Sequence, residues 1–402
     1  MADDGVIAGL DIGTTKICMI VGRVAEGKVN IIGLGSVPSF GIRKGTIVNI
    51  GSTVAALRKA KEEAELMAGT RISSSFVAIA GAHVRGINSK GMVAVRGKEV
   101  DQGDIGRAIE AAKAIKIPAD REILHVIPQE FIIDDQDGIK EPIGISGIRL
   151  EVKVHIVTVA SAALQNVMKC CRLAGINVEG VVLAQLASSE ATLTQEEKDI
   201  GVALVDIGGG TSDIAVFSEG SPFYTTCLPL GGTNITQDIT VGLRTSFENA
   251  EKIKKKYGCA ISSMVGAKET IEVEGVGYRT SRTLTRKTLV DIIEPRVEEI
   301  SSLIHEEIKR SGIDRLLAAG VVITGGCANL EGFQECAEAM FGLPTRRGYP
   351  VHIGGLVDVV SNPAFATSVG LVLYGASRRS RDFDGGKESL LARIKRWFKE
   401  TF

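Results

Sequence analysis

Short apolar runs separated by glycine-rich turns occupy the first part of the chain. Residues 6–12, 16–23 and 28–37 predict three β-strands, with turns at 13–15 and 26–28. The apolar positions then adopt a helical period in LRKAKEEAELMAG, which predicts a helix capped by Ser52 and ending at Gly69. The predicted order of this segment is therefore β-β-β-α.

The second half of the chain repeats this order. Each copy places Asp-Ile-Gly at the end of its first strand, in LDIGTTK from residue 10 and in VDIGGGTSDIAVF from residue 205. A helix is predicted from Thr233, after strands at 201–207, 212–217 and 223–230. The recurrence of one pattern in one chain indicates an internal duplication.

The remaining periodic segments alternate between helices and strands. Pro295 should kink the helix in which it falls or mark that helix's true start. The pattern predicts an α/β fold with a mixed sheet in each half. The further helices are predicted at 161–174, 185–194, 288–310 and 330–341, and the further strands at 178–184 and 320–324.

Two segments interrupt the duplicated plan. Residues 84–157 carry their own helix at 102–114 and two strand-like runs, ILHVIPQEFII and RLEVKVHIVTV. Residues 232–301 carry a basic helix, FENAEKIKKKYG, and a polar strand region, ETIEVEGVGYRTSRTL. Each segment is predicted to be a small subdomain inserted into a larger one.

Composition narrows the class of protein. The chain of 402 residues is long enough for two or more domains, and 44% hydrophobic with 24% charged residues is typical of a soluble protein. A net charge of −1 provides no field that would attract nucleic acid. The seven cysteines form no CxxC pair, and the five histidines form no HExxH motif, so we expect reduced thiols in the cytosol and no zinc site. The chain contains neither a signal-peptide pattern nor an apolar run long enough to span a bilayer.

The two Asp-Ile-Gly loops are the main candidate chemistry. The residues after the glycines alternate like strands, so both loops are predicted to be β-hairpin turns rather than turns that open a helix. Exposed backbone N–H groups in such turns bind anions. Asp11 and Asp206 would point at the same phosphates and suit Mg²⁺ held largely through water. The alternative is two ordinary hairpins with solvated aspartates, and the repetition of the loop argues against it.

Two further stretches suggest a nucleotide. GVVITGGCANLEGF, residues 320–333, predicts a strand, a turn at Gly325 and Gly326, and a helix from Asn329. Glycines at this turn would let a flat adenine ring lie against the backbone. Glu251 and Lys254 lie one helical turn apart and could hold ribose hydroxyls, although such pairs are often solvated surface pairs.

These motifs resemble the two phosphate loops and the adenosine loop of the actin/Hsp70/sugar-kinase superfamily. ATSVGLVLYG at 366–375 and LAQLASSEA at 183–191 resemble its two interdomain connections. The resemblance implies two ribonuclease-H-like domains with ATP and Mg²⁺ in the cleft between them. It also implies that Asp11 and Asp206 arrange Mg²⁺ and water, and that Gln185 positions water or has a structural role. The residues implied to surround the nucleotide are Gly13, Thr14, Thr15, Lys16, Gly208, Gly209, Gly210, Thr211, Glu251, Lys254, Gly325, Gly326 and Asn329.

Within the superfamily, the chain resembles the FtsA family of actin-like bacterial cell-division proteins. The features that carry this resemblance are the insertion at 84–157, the stretch GIRKGTIVNI at 41–50 and the amphipathic ending. The resemblance implies an ATP-binding protein that polymerises and is at most a weak ATPase. It further implies a peripheral protein on the cytoplasmic face of the cell membrane at the division site. There it would tether the ring of the tubulin-like protein FtsZ and recruit later division proteins.

The resemblance implies the following division of the chain. The first ribonuclease-H-like domain comprises 1–83, 158–197 and 357–376, with an inserted subdomain at 84–157. The second domain comprises 198–231 and 302–356, with an inserted subdomain at 232–301. A linker at 377–386 and an amphipathic helix at 387–402 complete the chain.

The second insertion is the expected contact for FtsZ. The family binds the C-terminal peptide of its partner in this subdomain, and an acidic peptide would suit a basic surface. Arg286 and Arg296 are the predicted contact residues, in a stretch that also holds Arg282 and Lys287. The alternative interpretation is an ordinary solvated basic face.

The sequence KESLLARIKRWFKETF, residues 387–402, predicts an amphipathic helix that lies in a membrane interface. Arg393, Lys395, Arg396 and Lys399 lie outside the apolar arc, and the polar SRRSRDFDGG before it predicts a flexible linker. The alternative is a helix docked on its own domain. An apolar arc of roughly 140° is formed by Leu390, Leu391, Ile394, Trp397, Phe398 and Phe402.

Two alternative functions share these motifs. A small-molecule kinase of the same superfamily would need an acceptor pocket, and no such pocket can be identified in the sequence. An Hsp70-like ATPase would need a substrate domain after its ATPase domain.

Overall fold

The computed structural model describes residues 5–25, 27–275 and 281–384. The chain begins with the predicted three antiparallel strands, which are followed by a short hairpin, a helix and a parallel strand. Helix α1 begins one turn earlier than predicted, because Asn49 rather than Ser52 caps it and accepts a hydrogen bond from the Ser52 amide at 3.0 Å. The elements are β1 (Val6–Ile12), β2 (Lys16–Ala25), β3 (Lys28–Pro38), β4 (Ile42–Arg43), β5 (Thr46–Ile47), α1 (Ile50–Ala68) and β6 (Ser74–Ile79).

The next segment forms a separate antiparallel sheet with one helix packed on it. Its strand order is β7-β10-β8-β9, and Phe131 and Ile105 are fully buried between the helix and the sheet. Asp101 and Asp104 form a reciprocal cap at the start of the helix. The elements are β7 (Arg85–Ala94), α2 (Gln102–Lys113), β8 (Arg121–Ile133), β9 (Gln136–Ile139) and β10 (Arg149–Ala160).

The chain then returns to the first sheet and crosses to the second. The strand β11 (Asn177–Leu183) pairs in parallel with β6, as expected for a strand that follows a helix. The helices of this segment are α3 (Ser161–Leu173), α4 (Ala184–Thr192) and α5 (Gln195–Ile200).

The second half repeats the three antiparallel strands and the helix. The third strand lies two residues earlier than predicted, because Glu219 and Gly220 both have positive φ (52° and 80°) and close a tight turn directly before Ser221. The elements are β12 (Val202–Ile207), β13 (Ser212–Ser218), β14 (Ser221–Leu228) and α6 (Gly232–Gly242).

The predicted second insertion contains two further helices and a two-stranded ribbon. Helix α8 runs without interruption through Pro295, so Pro295 does not mark its start. The helix begins at Arg286, because the Thr285 side chain accepts a hydrogen bond from the Thr288 amide at 3.3 Å. The elements are α7 (Phe247–Tyr257), β15 (Thr270–Val273), β16 (Arg282–Thr285) and α8 (Arg286–Arg310).

The last segment completes both sheets. Helix α9 begins at Phe333 rather than 330, because the preceding residues Gly326–Asn329 form a 3₁₀ turn. The elements are β17 (Val321–Thr324), α9 (Phe333–Phe341), β18 (Thr345–Arg347), β19 (Ile353–Gly355), α10 (Val357–Val360) and α11 (Ala366–Asp384).

Both large sheets are mixed, as predicted. The first has the order β11-β6-β1-β2-β3-β19, and the second has the order β14-β13-β12-β17-β18. The strand β19 pairs with β3, so residues 353–355 belong to the first sheet rather than to the second domain as predicted. A short return strand of three residues carries too weak a pattern for its sheet to be assigned from sequence.

Helices α4 and α11 pack against each other where the chain passes between the two sheets. A Cβ atom at Gly370 would lie 1.8 Å from the Ala187 carbonyl oxygen, so only glycine allows this crossing. Helix α11 also packs closely on β1, where a Cβ atom at Gly9 would lie 2.6 Å from the Ser368 carbonyl oxygen.

The region after α11 differs in part from the prediction. Residues 377–384, predicted as a linker, continue α11, and Arg379 anchors this part by donating to the Val6 carbonyl at 2.7 Å. The predicted amphipathic helix at 387–402 lies outside the described residues. Among the helices that the structure describes, none is long and apolar enough to cross a membrane.

Candidate functional site

The two Asp-Ile-Gly loops have the same hairpin geometry. The Gly13 amide donates to the Lys16 carbonyl at 3.0 Å, and the Gly208 amide donates to the Thr211 carbonyl at 2.8 Å. The residues that follow each loop continue as a strand antiparallel to the one before it. The prediction of hairpin turns is therefore confirmed.

The loops of the two halves face each other at close range. A Cβ atom at Gly209 would lie 2.3 Å from Cγ2 of Thr15, and one at Gly210 would lie 2.8 Å from Cγ2 of Thr14. Side chains at these glycines would thus collide with the opposite loop. The pairing of Gly209 and Gly210 with two threonines of the opposite loop has a direct steric reason.

A cavity of about 660 Å³ lies beside the loops, within the size range of small-molecule sites. It brings together almost all the residues that the sequence predicts to surround a nucleotide. Gly210 and Gln185 are the predicted residues that do not line it. The predicted residues on its wall are Asp11, Gly13, Thr14, Thr15, Lys16, Asp206, Gly208, Gly209, Thr211, Glu251, Lys254, Gly325, Gly326 and Asn329.

Asp206 is held by both connecting helices. Its Oδ2 accepts hydrogen bonds from Ser188 of α4 at 2.6 Å and from Thr367 of α11 at 2.9 Å. Burial raises the pKa of the Asp206 carboxyl, and the two hydroxyl donors oppose this effect. The crossing helices therefore fix the orientation of a carboxylate in the cavity wall.

Asp11 is the corresponding carboxylate of the first half. Burial raises its pKa to about 6, while the positive charge of Lys16 lowers it and the negative charge of Asp206 raises it. Lys16 itself donates from Nζ to the Ala364 carbonyl and lies 4.0 Å from the centre of the Phe365 ring. The cation is thus held at the cavity by the segment that precedes α11.

Asp213 is a third carboxylate of this wall, and the sequence analysis missed it. Burial raises its pKa to about 7, and the nearby Asp206 adds to this effect. Oδ2 accepts a hydrogen bond from Thr211 at 2.9 Å, and the Cys227 thiol also lowers the pKa, whereas the buried Oδ1 has no hydrogen-bond partner among the described residues. Strand alternation was the available signal, because it places Thr211 and Asp213 on the same face.

The three carboxylates suit a hydrated divalent cation better than a ligand cage. Over the described ranges, no three His, Cys, Asp or Glu side chains come together as a metal-ligand cluster. The unpartnered Oδ1 of Asp213 is an acceptor that a metal-bound water can satisfy. The carboxylates of Asp11 and Asp206 line the same cavity.

Glu251 and Lys254 form a partly buried pair on the cavity wall. Nζ of Lys254 lies 2.7 Å from Glu251 and donates to the Gly232 carbonyl at 3.0 Å and to Thr236 at 2.8 Å. The surface-pair alternative is therefore wrong, because both side chains line the cavity. Across the cavity, Asn329 donates to Asn362 at 2.9 Å and links the adenosine-like loop to the segment before α11.

Gln185 has a structural setting at the start of α4. Its Nε2 donates to the Ile214 and Thr226 carbonyls at 3.4 and 3.2 Å, and the side chain is fully buried. Both acceptors belong to neighbouring strands of the second sheet. Nε2 therefore has a structural role, while the buried Oε1 has no hydrogen-bond partner among the described residues.

Arg286 and Arg296 are engaged in ion pairs within the chain. Arg286 pairs with Glu269 at 2.9 Å and also with Glu331, and Arg296 pairs with Asp238 at 2.5 Å. A freely solvated basic face therefore does not describe these two side chains. Arg296 also pairs with Glu299 one helical turn away, a spacing visible in the sequence, whereas the other acidic partners are distant along the chain.

The fold matches solved structures of actin-like proteins. The PilM–PilN type IV pilus biogenesis complex aligns with a TM-score of 0.65 at 19% identity, over 92% of this chain and 98% of the other. MreB5 of Spiroplasma citri bound to ADP aligns with a TM-score of 0.55 at 15% identity, over 95% and 99%. With its duplicated mixed sheets and the cleft between the loops, the protein has the actin-like fold.

Sequence comparison then identifies the family. A family model described as Cell division protein FtsA matches residues 203–370, and one described as SHS2 domain inserted in FTSA matches 81–158. Cell division protein FtsA of Pseudomonas aeruginosa is 47% identical over 98% of both chains. That of Escherichia coli K12 is 40% identical over 99% of this chain and 96% of its own. The chain belongs to the FtsA family of cell-division proteins.

Proposed function

We propose that the cavity binds ATP together with Mg²⁺. The observation that carries the proposal is the direct apposition of the two Asp-Ile-Gly hairpins, with Asp11, Asp206 and Asp213 beside them. The MreB5 structures bound to ADP and to AMPPNP support it, because those chains share the fold.

The residues of this chain have distinct roles in the proposed site. The hairpin amides bind the phosphate chain from both halves, and Lys16 exchanges its contact with the Ala364 carbonyl for one with phosphate. Glu251 and Lys254 hold the ribose, and the backbone at Gly325 and Gly326 lies against the base. Bound Mg²⁺ supplies positive charge that neutralises the phosphates.

A site that clasps the phosphates from two halves couples the nucleotide to the relative position of those halves. Asp206 strengthens this coupling, since hydroxyls of both connecting helices hold it. The protein is at most a weak ATPase in this account. Nucleotide binding would select a conformation that assembles rather than drive rapid turnover.

We propose further that the protein is a polymerising scaffold that tethers FtsZ to the cytoplasmic membrane and helps recruit later division proteins. Membership of the FtsA family supports the role in division. The amphipathic sequence at 387–402 supports the membrane contact, and many tails on one filament would bind far more tightly than one tail.

Co-sedimentation with anionic vesicles tests this function. The full chain should pellet with vesicles, more so with ATP and Mg²⁺ than without, and should carry FtsZ into the pellet. A matched chain truncated after Gly386 should leave both proteins in the supernatant. Pelleting of FtsZ that is equal with the full and truncated chains would contradict the tether.

A panel of sugars and small acids tests the kinase alternative. We expect no ATP consumption that depends on any of these acceptors. Acceptor-dependent ADP release that is lost in Asp206→Ala would favour the kinase and contradict the scaffold.

A further inference from the structure

One edge of the first sheet collects the ends of three helices. β1, β6 and β11 run parallel, so the segments that lead into them lie at the same edge. Helix α1 leads into β6 and helix α3 leads into β11. Nζ of Lys61 donates to the Gly175 carbonyl at 2.9 Å, and the Asn177 amide donates to the Ser73 carbonyl at 2.9 Å. The C-terminal ends of α1 and α3 are thus held side by side.

Helix α11 ends at this same edge. Nη1 of Arg379 donates to the carbonyl of Val6, the first residue of β1, at 2.7 Å, and Nη2 lies 2.5 Å from Glu179 of β11. The helix ends at Asp384, five residues further on. The tail, with its predicted amphipathic helix, therefore follows the fold from the edge where α1 and α3 end.

The exposed side chains at these helix ends are mostly apolar and cationic, with one exposed glutamate, Glu62, one turn before Leu66 on α1. Leu66 is 86% exposed, and Met67 and Leu173 are 51% and 44% exposed. Glu65, next to Leu66, is engaged by the Ile72 amide at 2.7 Å. We use the name basal face for six exposed residues, namely Leu66, Met67, Arg71, Lys169, Arg172 and Leu173.

We propose that the basal face contacts the surface of an anionic lipid bilayer, as a second attachment beside the tail. Apolar side chains flanked by cations suit the boundary between acyl chains and anionic headgroups. The proposal rests on the proposed membrane attachment of the tail, since the tail brings this edge to the lipid. Attachment through both the tail and the basal face differs from attachment through the tail alone, because two contacts fix the orientation of the molecule.

The orientation has a consequence for the inserted subdomain. This subdomain joins the first sheet at Ser161, the start of α3, whereas the basal face lies at the other end of that helix. A basal face on the membrane therefore directs the inserted subdomain away from the lipid.

A single tryptophan placed on the basal face tests the proposal, because Trp397 is the only native tryptophan. The full chain carrying Leu66→Trp and Trp397→Phe is mixed with vesicles of phosphatidylcholine and phosphatidylglycerol. The matched control carries Ile148→Trp and Trp397→Phe, with its reporter at a residue of the inserted subdomain that is 79% exposed. We expect a blue shift of the Leu66→Trp emission and no shift in the control.

Other outcomes separate this proposal from the function on which it rests. If both chains pellet with vesicles and the Leu66→Trp emission stays unchanged, the basal face is not at the lipid, and the tail alone attaches the protein. If neither chain pellets, the membrane attachment itself fails, and the basal-face contact fails with it. A blue shift without lipid that disappears on truncation after Gly386 would show that the tail covers the face. A blue shift without lipid that grows with protein concentration would show that a second copy covers it. Either result would overturn the proposal.

Charge reversal tests the cationic part of the face with the native tail in place. We expect Lys169→Glu with Arg172→Glu to lower the affinity for these vesicles by about tenfold, because each cation near an anionic leaflet adds to binding. The matched control, Lys98→Glu with Lys116→Glu, changes two exposed lysines of the inserted subdomain and should bind as the unaltered chain does. Equal loss in both double variants would overturn the assignment to this face.

Discussion

Asp213 shows how one buried side chain can link the site to the stability of the fold. It lies opposite Asp206 in the hairpin of the second half, with Thr211 as its hydrogen-bond donor. Among the described residues, its second carboxylate oxygen has no hydrogen-bond partner. A charge in this position is costly until a cation or a donor arrives.

The first prediction concerns the pH dependence of folding without nucleotide or divalent cation. Burial raises the folded-state pKa of Asp213 from 3.8 to about 7, so the stability contributed by its proton is fully present below about pH 4 and is lost progressively as the pH rises through about 7. Asp213→Asn removes this loss. We expect the difference in free energy of unfolding between Asp213→Asn and the unaltered chain to shift in favour of the variant by about 1–3 kcal/mol from about pH 5 to about pH 8.

Urea unfolding at the two pH values measures this difference. Asp135→Asn is the matched control, since the side chain of Asp135 is 98% exposed, and its effect should be the same at both pH values. An advantage of Asp213→Asn that does not change with pH would contradict the buried titration.

At the scale of the element, the two hairpin loops depend on contact with each other. Gly209 and Gly210 serve the approach of one loop to the other, because the loops meet there at distances that leave no room for a side chain. Two hairpins packed in this way line one cavity, although they lie far apart in sequence.

The second prediction tests the contact between the loops. Gly209→Ala places a methyl group where Thr15 lies 2.3 Å away, so the loops must separate. We expect the affinity for ATP to fall by about tenfold or more, because misplaced donors no longer reach the phosphates together. Gly106→Ala in α2 is the matched control, since nothing lies within 4 Å of its Cβ position, and it should bind ATP normally. Normal binding by both variants would argue against the two-loop clasp.

The third prediction concerns α8 and its ion pairs. If this surface binds the acidic C-terminal peptide of FtsZ, Arg286→Glu with Arg296→Glu should weaken peptide binding and leave the affinity for ATP intact. Because Arg286 pairs with Glu269 and Arg296 with Asp238, some loss of thermal stability should accompany the change. Lys309→Glu with Arg310→Glu, at the far end of α8, serves as the control. Peptide binding equal to that of the unaltered chain would reject this surface.

The elements that the sequence predicts best are those with a strong local pattern. The antiparallel strands, the two hairpin loops and helix α3 follow from alternation and helical period. The sheet of β19 and the helical continuation to Asp384 do not, because partners distant in sequence, such as β3 and Glu179, stabilise them. The same limit applies to the site. The repeated Asp-Ile-Gly motif identifies Asp11 and Asp206 as candidate site residues. The contacts of Ser188 and Thr367 with Asp206 have no local pattern, because they depend on how α4 and α11 cross.

At the scale of the whole molecule, the proposed function depends on two features. The cleft between the halves is the proposed nucleotide site. The chain continues from the edge where α11 ends into the predicted membrane helix. A filament would present many such edges in one direction. Membrane attachment would then depend on assembly through effective concentration.

The fourth prediction tests the tail directly. The emission of Trp397 should shift to the blue when anionic vesicles are added, and Trp397→Glu should stay in the supernatant, because a charge replaces the apolar anchor. The control is Tyr349→Glu, because Tyr349 is 43% exposed, whereas a change at the buried Phe341 would disturb the core. This control should still pellet with the vesicles. Emission unchanged by lipid, together with vesicle binding after truncation at Gly386, would show that the tail is not the anchor.

The most direct test of the account is the equilibrium binding of labelled ATP in the presence of Mg²⁺. Asp11→Ala and Asp206→Ala should each weaken binding by about 1–3 kcal/mol, because each removes an acceptor from the waters of the metal ion. The exposed Asp135→Ala should leave binding unchanged, and all three variants should remain folded by circular dichroism. Unchanged ATP affinity in folded Asp11→Ala and Asp206→Ala would contradict the nucleotide site and the scaffold built on it.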